Sequence, residues 1–401
     1  MLFTDPIERA VERISARGGV PLRLELWDGR AFNLAPAPHV TVRLQSAAAL
    51  RYLATPSLSS LGEAFVEGHL HVRGRIHDVF RAGAALALSG DGPGRGPLPR
   101  LLAHSRGRDR KAIAYHYDVS NDFYALFLDR GMVYSCAYFR DENDSLENAQ
   151  EQKLDHVLRK LRLKPGERFL DVGCGWGALI VRAAQRYGAY ATGITLSEKQ
   201  HDLAQTRIRE AGLEGRCSVR LLDYRDLAGE GTYDKISSVG IHEHVGLKNL
   251  PAFFGKAAAL LRPGGLFLNH GIASSDTRER SVGAGVGDFI ERYVFPNGEL
   301  PHLSRVVRDI ADAGLEVADV ESLRRHYAAT CRIWADRLEE NRERAVELAG
   351  EKRVRIWQIY LAGCAHAFAH GWIDIHQVLA CKSVGGDAGA LPLTREDLYR
   401  H

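Results

Sequence analysis

The sequence has few cysteines, and none of them stands in a pattern typical of a metal site. The chain of 401 residues contains six cysteines, scattered without any Cys-x-x-Cys pair. A small domain held by disulfides needs closely spaced cysteines, and a structural zinc site needs paired ligands. The sequence therefore predicts reduced intracellular thiols and no bound metal.

Long hydrophobic runs and a marked excess of charge are also lacking. No apolar stretch approaches the roughly 20 residues that span a bilayer, and no secretory signal opens the sequence. The formal net charge is only +3, too small to indicate a nucleic-acid-binding protein. With 45% hydrophobic and 26% charged residues, the composition is that of a globular protein. We expect a cytoplasmic protein without a nucleic-acid partner.

Residues 89–111 combine a Gly/Pro-rich run, Gly90–Pro97, with a local excess of positive charge. Glycine and proline in this density predict a linker. One interpretation of this segment is a solvated hinge whose charge has no function. The other is a surface that binds anionic phospholipids, with a binding free energy of about 1 kcal/mol per basic residue near the membrane. The basic residues are Arg95, Arg100, Arg106, Arg108, Arg110 and Lys111.

Residues 1–88 predict a small α+β domain. Apolar and polar residues alternate over Pro21–Trp27, and Asp28-Gly29 follows as a hairpin signal. Thr41–Leu44 predicts a further strand, and helices are expected around Ala47–Ala54 and Arg75–Leu88. No catalytic constellation is visible, so we expect a docking or dimerisation module that could make the protein a homodimer.

Residues 112–401 predict a catalytic domain in which strands and helices alternate. This pattern is typical of a doubly wound, Rossmann-like α/β sheet with ligands at the carboxyl ends of its strands. Past residue 300 we expect mainly helical additions, including a long helix from Glu339 to about Leu379. The predicted strands are Phe169–Val172, Tyr190–Ile194, Val219–Leu222, Lys235–Val239 and Leu266–His270, and the helices between them include Ala178–Tyr187, Glu198–Glu210 and Ala252–Leu261.

The segment Phe169–Gly177 is a hydrophobic strand that runs into an acidic residue and a glycine-rich turn. Small residues let the backbone approach a ligand, and the N–H groups at the next helix start point towards it. Asp171, just before the first glycine, suits a cationic cofactor such as S-adenosylmethionine (SAM). The second strand ends in Thr195-Leu196-Ser197, without an acid to hold a ribose. The glycines also fit the looser dinucleotide pattern, so SAM is favoured over NAD on spacing alone.

Several motifs follow one another along nearly the whole chain, and their coincidence is far more specific than the glycine turn. The motifs are Leu61–Phe65, His116–Asp118, Asn121–Tyr124, Tyr134–Phe139, Asp171–Gly177, Gly193–Gln200, Ser238–Gly246, Tyr293–Gly298 and Tyr360–Cys364. Together they resemble the cyclopropane-fatty-acyl-phospholipid synthases, which are class I SAM-dependent methyltransferases.

The resemblance implies transfer of a methylene carbon from SAM to a cis double bond in a phospholipid acyl chain. Attack by the alkene on the sulfonium methyl gives a carbocation, and loss of a proton closes a cyclopropane ring. In this family a bound bicarbonate is taken to be the base. The partners implied are a phospholipid with an unsaturated acyl chain and an anionic membrane surface, with the enzyme held peripherally at the inner membrane face.

The resemblance also implies an anion pocket made by Cys136, Glu243, His270, Tyr327 and the backbone of Ile272. A carboxylate beside an anion requires that one of them carries a proton, or that Glu243 orients His270. From the residues alone, His270 could be a satisfied histidine at a strand end and Glu243 a carboxylate at a helix start. Adjacent residues His242, Glu243 and His244 point in different directions, which argues against a metal site.

Cys364 is a further catalytic candidate, because family descriptions place a matching cysteine in the active site. It lies on an apolar stripe with Trp357, Leu361 and Phe368, and no adjacent base would activate a thiolate. A buried structural thiol is therefore the favoured interpretation.

The cofactor site carried over from the family surrounds the glycine turn. Gln200 supplies an amide in place of the usual ribose-binding acid, and aromatic residues are expected along an acyl channel. The cofactor residues are Tyr134, Ser135, Phe169, Asp171, Gly173, Cys174, Gly175, Gly177, Thr195, Leu196, Gln200, Tyr224 and Arg225, and the channel candidates are Tyr138, Phe139, Tyr293 and Phe295.

Other functions stay open at this level. A relative that forms the same carbocation could end in a methyl-branched or methylene-bearing acyl chain, because the outcome depends on where the base lies. A small-molecule SAM methyltransferase is disfavoured by the amino-terminal module and the basic linker. A non-catalytic lipid-binding protein is disfavoured by the joint presence of Cys136, Glu243, His270 and Tyr327.

Overall fold

The computed structural model describes residues 20–88, 120–279, 286–295, 298–385 and 391–399. These residues form two compact units. The first comprises 20–88, 286–295 and 331–372, and the second comprises the remainder. The division differs from the predicted domains, because two segments of the expected catalytic region group with the amino-terminal residues. The predicted linker 89–111 and the motif residues His116–Asp118, Pro296 and Asn297 lie outside the described residues.

The first unit contains a four-stranded sheet in the order β2-β1-β3-β4. Leu22 and Leu24 face inwards on β1, and Gly29 makes the expected hairpin turn at φ +91°. Helices cover the sheet, and Gly62 lets α2 approach the Phe289 ring, which a Cβ would meet at 2.8 Å. The elements are β1 Leu22–Glu25, β2 Ala31–Asn33, β3 Val40–Leu44, β4 Leu70–Arg73, α1 Arg51–Ala54, α2 Leu58–Val66, α3 Ile76–Leu88, α10 Val286–Tyr293, α13 Arg342–Ala349 and α14 Glu351–Ala369, with a 3₁₀ turn at Ala47–Leu50.

The second unit contains a seven-stranded sheet in the order β10-β11-β9-β8-β5-β6-β7. Strands β5 to β9 run parallel, which confirms the predicted doubly wound architecture. The strands are β5 Arg168–Val172, β6 Tyr190–Thr195, β7 Cys217–Leu221, β8 Tyr233–Val239, β9 Leu261–Ser274, β10 Glu316–Ser322 and β11 Ile373–Cys381. The helices are α4 Asn121–Ala125, α5 Leu146–Lys160, α6 Ala178–Tyr187, α7 Glu198–Glu210, α8 His242–Val245, α9 Leu250–Leu260, α11 Leu303–Asp312 and α15 Glu396–Tyr399. Short 3₁₀ turns occur at Tyr224–Asp226 and Leu247–Asn249, and α12, Arg324–Glu340, spans the division between the units.

The predicted helix from Glu339 to Leu379 is wrong. The helical pattern ends at Ala369, and Gly371 turns the chain at φ +70°. The β-branched residues of β11 then pair antiparallel with β9 from Ile373 to Cys381. The strand alternates in burial at its start and becomes continuously buried further on. A short apolar run of this kind is ambiguous between helix and strand in the sequence.

The core of the second unit lies on both faces of its sheet. Successive strand residues point to opposite faces, so Phe169 and Leu268 enter one hydrophobic cluster while Leu170 and Phe267 enter the other. Because both faces of the sheet are covered, a ligand can reach the sheet only at the ends of its strands. Within the described part of the chain, none of the helices has the length and hydrophobicity needed to cross a bilayer.

Candidate active site

The glycine turn after β5 brings the backbone to a cavity. Gly173, Gly175 and Gly177 all have positive φ, at +80°, +54° and +86°. The N–H groups of Gly173 and Cys174 donate to the Ile194 carbonyl on the neighbouring strand at 3.0 and 2.9 Å. A side chain on Gly173 would overlap the Cδ1 atom of Ile241. Sterics and conformation therefore both require glycine at position 173.

A cavity of about 160 Å³ lies at the carboxyl ends of β5, β6 and β8. It has the position expected for a ligand site in a doubly wound sheet. The residues that line it include most of the predicted cofactor residues, namely Tyr134, Ser135, Asp171, Gly173, Cys174, Gly175, Thr195, Leu196, Gln200, Tyr224 and Arg225.

Phe169 and Gly177 do not line this cavity, unlike the other predicted cofactor residues. Phe169 lies near the start of β5, away from the carboxyl end, and is fully buried in the core. Gly177 is the residue before α6, and a Cβ there would meet the Ala204 Cβ at 3.0 Å. These two residues therefore serve packing in the structure, with Gly177 allowing α6 to approach α7.

Asp171 is a buried carboxylate at the wall of the cavity. Ser237 Oγ donates to its Oδ1 at 2.6 Å. Burial raises the pKa of Asp171 to about 6, with the Ser237 hydrogen bond and the charge of Lys153 acting in the opposite direction. A cation bound in the cavity would stabilise the ionised form. The site thus suits a positively charged ligand.

Thr195 and Gln200 are joined at the end of β6. Thr195 Oγ1 donates to Gln200 Oε1 at 2.7 Å, and Ser197 caps α7 by accepting from the Gln200 N–H. The Gln200 side chain is buried, and its amide nitrogen donates no hydrogen bond within the described residues. An amide donor held in this way fits a hydroxyl-bearing ligand such as a ribose.

Tyr224 and Arg225 lie in the 3₁₀ turn after β7. Asp223 accepts from the Arg225 backbone N–H at 2.9 Å and pairs with its guanidinium at 2.6 Å. The Tyr224 ring meets Phe253 edge-on, with ring centroids 5.0 Å apart. The turn therefore presents a fixed aromatic ring to the cavity.

The predicted site lacks several residues that also line the cavity. Lys153 is the chemically important omission, because it is a buried ammonium on α5. Its position was detectable, since it falls between Ala149 and Val157 at helical spacing on the apolar stripe of α5. A buried lysine alone does not indicate function, however, because Lys160 on the same helix is also buried and forms ion pairs with Asp319 and Glu321. The other additional lining residues include Met132, Val133, Trp176, Asp223, Ile241 and His244.

Glu243 and Ile272 are in direct contact. The Glu243 Oε1 atom accepts from the Ile272 backbone N–H at 2.6 Å. The Ile272 carbonyl lies 2.8 Å from His242 Nε2. Both backbone groups of Ile272 are thus engaged by α8. The backbone of Ile272, which was expected to contribute to the anion pocket, is therefore already hydrogen-bonded to α8. The Oε2 atom of Glu243 is buried with no hydrogen-bond partner among the described residues.

His270 lies on β9 and pairs with Val239, which lines the cavity, whereas His270 itself does not. It is 1% exposed, and burial lowers its pKa well below the usual value. Its imidazole is therefore neutral at physiological pH. The Nδ1 atom lies 3.4 Å from Gln377 Nε2, and Nε2 is buried without a hydrogen-bond partner in the described ranges.

Cys136 and Tyr327 meet at the carbonyl of Leu323. The Cys136 thiol donates to this carbonyl at 3.8 Å, and the Tyr327 backbone N–H donates to it at 3.0 Å. Burial raises the pKa of Cys136 far above the ordinary range, so it remains a thiol. The charges of Lys153 and Glu321 act on both Cys136 and His270. The two residues therefore share one electrostatic environment.

Cys364, Tyr293 and Phe295 belong to the first unit. Cys364 is buried on α14, and burial raises its pKa to about 12. Phe295 packs edge-on against Tyr360, and Tyr293 lies on α10. In the second unit, Tyr138 is stacked between His156 and His326, and Phe139 also stacks on His326.

Metal-ligating side chains do not cluster in the part of the chain that the structure describes, where no group of three or more could hold an ion. The side chain of His242 instead fills the space over Gly271, and Asn269 Nδ2 lies 2.9 Å from its Nδ1 atom. All six cysteines are buried and free.

Comparisons with known proteins agree with this geometry. Residues 104–378 match the family model "Mycolic acid cyclopropane synthetase". A probable fatty acid methyltransferase of Pseudomonas putida is 49% identical over 95% of this chain and 97% of its own length. A probable fatty acid methyltransferase of Mycobacterium tuberculosis is 38% identical, over 96% of each chain.

A crystal structure of mycolic acid cyclopropane synthase CmaA1 in complex with SAH, the demethylated form of SAM, and CTAB aligns with a TM-score of 0.64. It is 35% identical and covers 68% of this chain and 98% of its own. The family match covers more than half of the chain, and both relatives are more than 30% identical over nearly its whole length. The chain belongs to the mycolic acid cyclopropane synthetase family of class I SAM-dependent methyltransferases.

Proposed function

We propose that this enzyme transfers a methylene carbon from SAM to a cis double bond of an unsaturated phospholipid acyl chain and forms a cyclopropane ring. The names of the relatives support a lipid acyl substrate. SAM supplies an electrophilic methyl group to the weakly nucleophilic alkene. The chain must then hold that methyl near the double bond, exclude water and help remove one proton from the transferred carbon.

The observation that carries the proposal is a pair of uncommitted polar atoms, Glu243 Oε2 and His270 Nε2. Both are buried and have no hydrogen-bond partner within the described residues. Buried polar atoms without partners are costly, which favours a polar ligand at each of them. In the chain, Glu243 lies between Ile241 and His244, and both of these residues line the cofactor cavity. A ligand held by Glu243 would therefore lie near the cofactor.

Bicarbonate can form hydrogen bonds with both of these atoms. It carries one O–H and several acceptor oxygens, so its O–H can donate to Glu243 Oε2. The His270 imidazole is neutral and can donate from Nε2 when Nδ1 accepts from the Gln377 amide. Cys136 and Tyr327 would complete the pocket. We propose that the bicarbonate in this arrangement takes the proton whose loss closes the ring.

One observation favours a second product of the same carbocation, a methylene-bearing or methyl-branched acyl chain. The relatives that match nearly the whole chain are named fatty acid methyltransferases, whereas the cyclopropane synthase structure covers only 68% of it. Both reactions pass through the same carbocation. A hydride shift would move the cation to the methyl-bearing carbon, and proton loss from the transferred methyl would then leave a methylene branch. Reduction of that branch to a methyl group would require a separate reductant.

The deciding experiment is incubation of the enzyme with SAM, bicarbonate and vesicles of a cis-monounsaturated phospholipid. Mass spectrometry should show a gain of one CH₂ in the acyl chain, and NMR should show cyclopropyl protons. Cyclopropane and methylene products have the same mass, so the NMR spectrum separates them. Vinylic methylene signals would establish the second product. Absence of transfer by an enzyme that binds SAH in the same buffer would refute both.

We also propose that the enzyme acts as a peripheral protein at an anionic membrane, through the basic residues of 89–111. The test is co-sedimentation with anionic and zwitterionic vesicles over a salt series. The triple variant R106Q/R108Q/R110Q should lose binding to anionic vesicles, while R186Q/R209Q/R220Q, with three exposed arginines changed elsewhere, should retain it. Equal loss in both variants would assign the effect to net charge and would reject a specific role for residues 89–111.

We further propose that the protein associates as a homodimer through the amino-terminal module. Light scattering, which measures the molar mass in solution, tests this proposal.

A further inference from the structure

Lys153 is a buried ammonium group at the wall of the cofactor cavity. It is 2% exposed and lies on α5, among the lining residues. Its Nζ atom donates to Ser135 Oγ at 2.8 Å. The same helix fixes the partner segment, because Gln150 Nε2 donates to the carbonyls of Val133 and Ser135 at 3.1 and 2.9 Å. The position of Lys153 relative to Ser135 is therefore set by the fold.

Within the described residues, Lys153 has no carboxylate at ion-pair distance. The two nearby acids that act on it electrostatically are committed elsewhere. Asp129 accepts from the N–H groups of Gly131 and Val133 at 2.7 and 2.9 Å, and Asp171 accepts from Ser237. Burial lowers the pKa of Lys153 to about 8, and the charges of Asp129, Cys136 and Asp171 oppose this shift without cancelling it.

An uncompensated ammonium beside a ligand cavity favours an anionic ligand group. Two carboxylate-type anions are available, the α-carboxylate of the cofactor's methionine end and bicarbonate. Lys153 and Ser135 line the same cavity as the glycine turn and Thr195. Glu243 and His270, which would hold bicarbonate, do not line it. The cofactor carboxylate is therefore the better match.

We propose that Lys153, together with the hydroxyl of Ser135, binds the α-carboxylate of SAM and so fixes the methionine end of the cofactor. The proposal rests on the use of SAM and is independent of which acyl product is formed. A charge-assisted hydrogen bond at one end of a long ligand determines where the sulfonium methyl lies. Lys153 is thus a binding and positioning residue.

The test compares two ligands by calorimetry, SAH and 5′-methylthioadenosine, which lacks the amino and carboxylate groups. The K153M variant should bind SAH about 10- to 100-fold more weakly than the wild type, the range for loss of a charge-assisted hydrogen bond. Its affinity for methylthioadenosine should be unchanged. K199M, which removes an exposed lysine at the start of α7, should bind both ligands like the wild type.

A pH series provides a second readout. SAH binding by the wild type should weaken as the pH rises above about 8, because Lys153 loses its proton there. This alkaline weakening should vanish in K153M. K153Q serves as a second variant if K153M fails to fold, and thermal unfolding identifies that case.

Two results would overturn the proposal. The first is SAH affinity in K153M equal to that of the wild type, and if turnover also lost its bicarbonate dependence, Lys153 would be assigned to bicarbonate. The second is an equal loss for SAH and methylthioadenosine, which would indicate a damaged cavity.

Discussion

The Glu243 carboxylate accepts a hydrogen bond from the Ile272 backbone N–H at 2.6 Å and keeps its second oxygen buried without a partner in the described residues. One oxygen of Glu243 thus has a structural hydrogen bond, and the other can still accept a hydrogen bond from a ligand. The first oxygen ties α8 to the far part of β9. The second belongs to a residue that lies in the chain between Ile241 and His244, which both line the cofactor cavity. This separation allows the two roles of Glu243 to be tested independently.

Replacement of Glu243 by alanine should reduce turnover by about 10²-fold or more, the range for loss of a group that assists proton transfer. The affinity for SAH should stay close to that of the wild type, because Glu243 is not among the residues that line the cavity. Turnover and SAH binding are measured on the same preparation, by product analysis and calorimetry. An equal loss of turnover and SAH affinity would move Glu243 to the cofactor site.

The E243Q variant is the matched control. Its amide oxygen can still accept from the Ile272 N–H, so the link between α8 and β9 should remain. The neutral amide is a weaker acceptor for a bicarbonate O–H, and E243Q should therefore also turn over slowly while unfolding at nearly the wild-type temperature. Full activity in E243Q would show that only the structural oxygen matters.

The sequence predicted the second unit better than the first because its signals are local. Strand and helix periods gave β5 to β9 and most of the helices between them, and the glycine turn marked the cavity. The strand β11 was missed because its apolar run follows directly on a helical pattern. The grouping of residues 331–372 with the amino-terminal unit depends on long-range packing, such as Gly363 against Phe80, and long-range packing leaves no local pattern.

The candidate site shows the same limit. Motif matching found residues whose types are chemically distinctive, including Asp171 and Gln200. It also included Phe169, which shares the β5 motif but points into the core. Lys153 was missed, since its meaning depends on the absence of a nearby counter-ion in three dimensions. The sequence indicates which residues belong to a motif, and packing decides which side chains reach the cavity.

Asp171 should make cofactor binding weaken on the acid side. Burial raises the pKa of Asp171 to about 6 in the free protein. At pH 6 half of the Asp171 carboxyl groups are therefore protonated, and the protonated form cannot neutralise a bound cation. The affinity for SAM should fall as the pH drops below about 6, and binding near pH 6 should release protons. Calorimetry in buffers of different ionisation enthalpy measures the release.

The D171N variant provides the control for this effect. It should bind SAM more weakly at neutral pH and show no proton release from this position. An asparagine can still accept from Ser237 Oγ, so the link to β8 should persist. Proton release that remains unchanged in D171N would assign the titration to another group.

Cys364 should tolerate replacement. It is buried on α14, and burial raises its pKa to about 12, so the thiolate that a nucleophile requires is scarce at neutral pH. C364S should retain turnover within a few-fold of the wild type, with a modest loss of stability from burying a hydroxyl. The measurement is initial rate with saturating SAM. A loss of about a thousandfold, with SAH binding intact, would make Cys364 a catalytic residue.

Gly173 should be indispensable for the cofactor cavity. An alanine there would adopt a φ of +80° and direct its methyl group into Ile241. Left-handed conformation costs roughly 1–2 kcal/mol for a non-glycine residue, and the steric overlap adds to this by displacing Ile241, which lines the cavity. G173A should therefore lose SAH affinity as well as stability.

Gly166 separates conformational strain from steric overlap. It has a nearly equal φ of +79°, and a Cβ there would have no neighbour within 4 Å in the described residues. G166A should thus lose stability by the strain alone and bind SAH normally. The double variant G173A/I241A removes the overlapping side chain and should regain part of the SAH affinity that G173A loses. If G166A and G173A lowered SAH affinity equally, strain would be sufficient and contact with Ile241 would have no separate role.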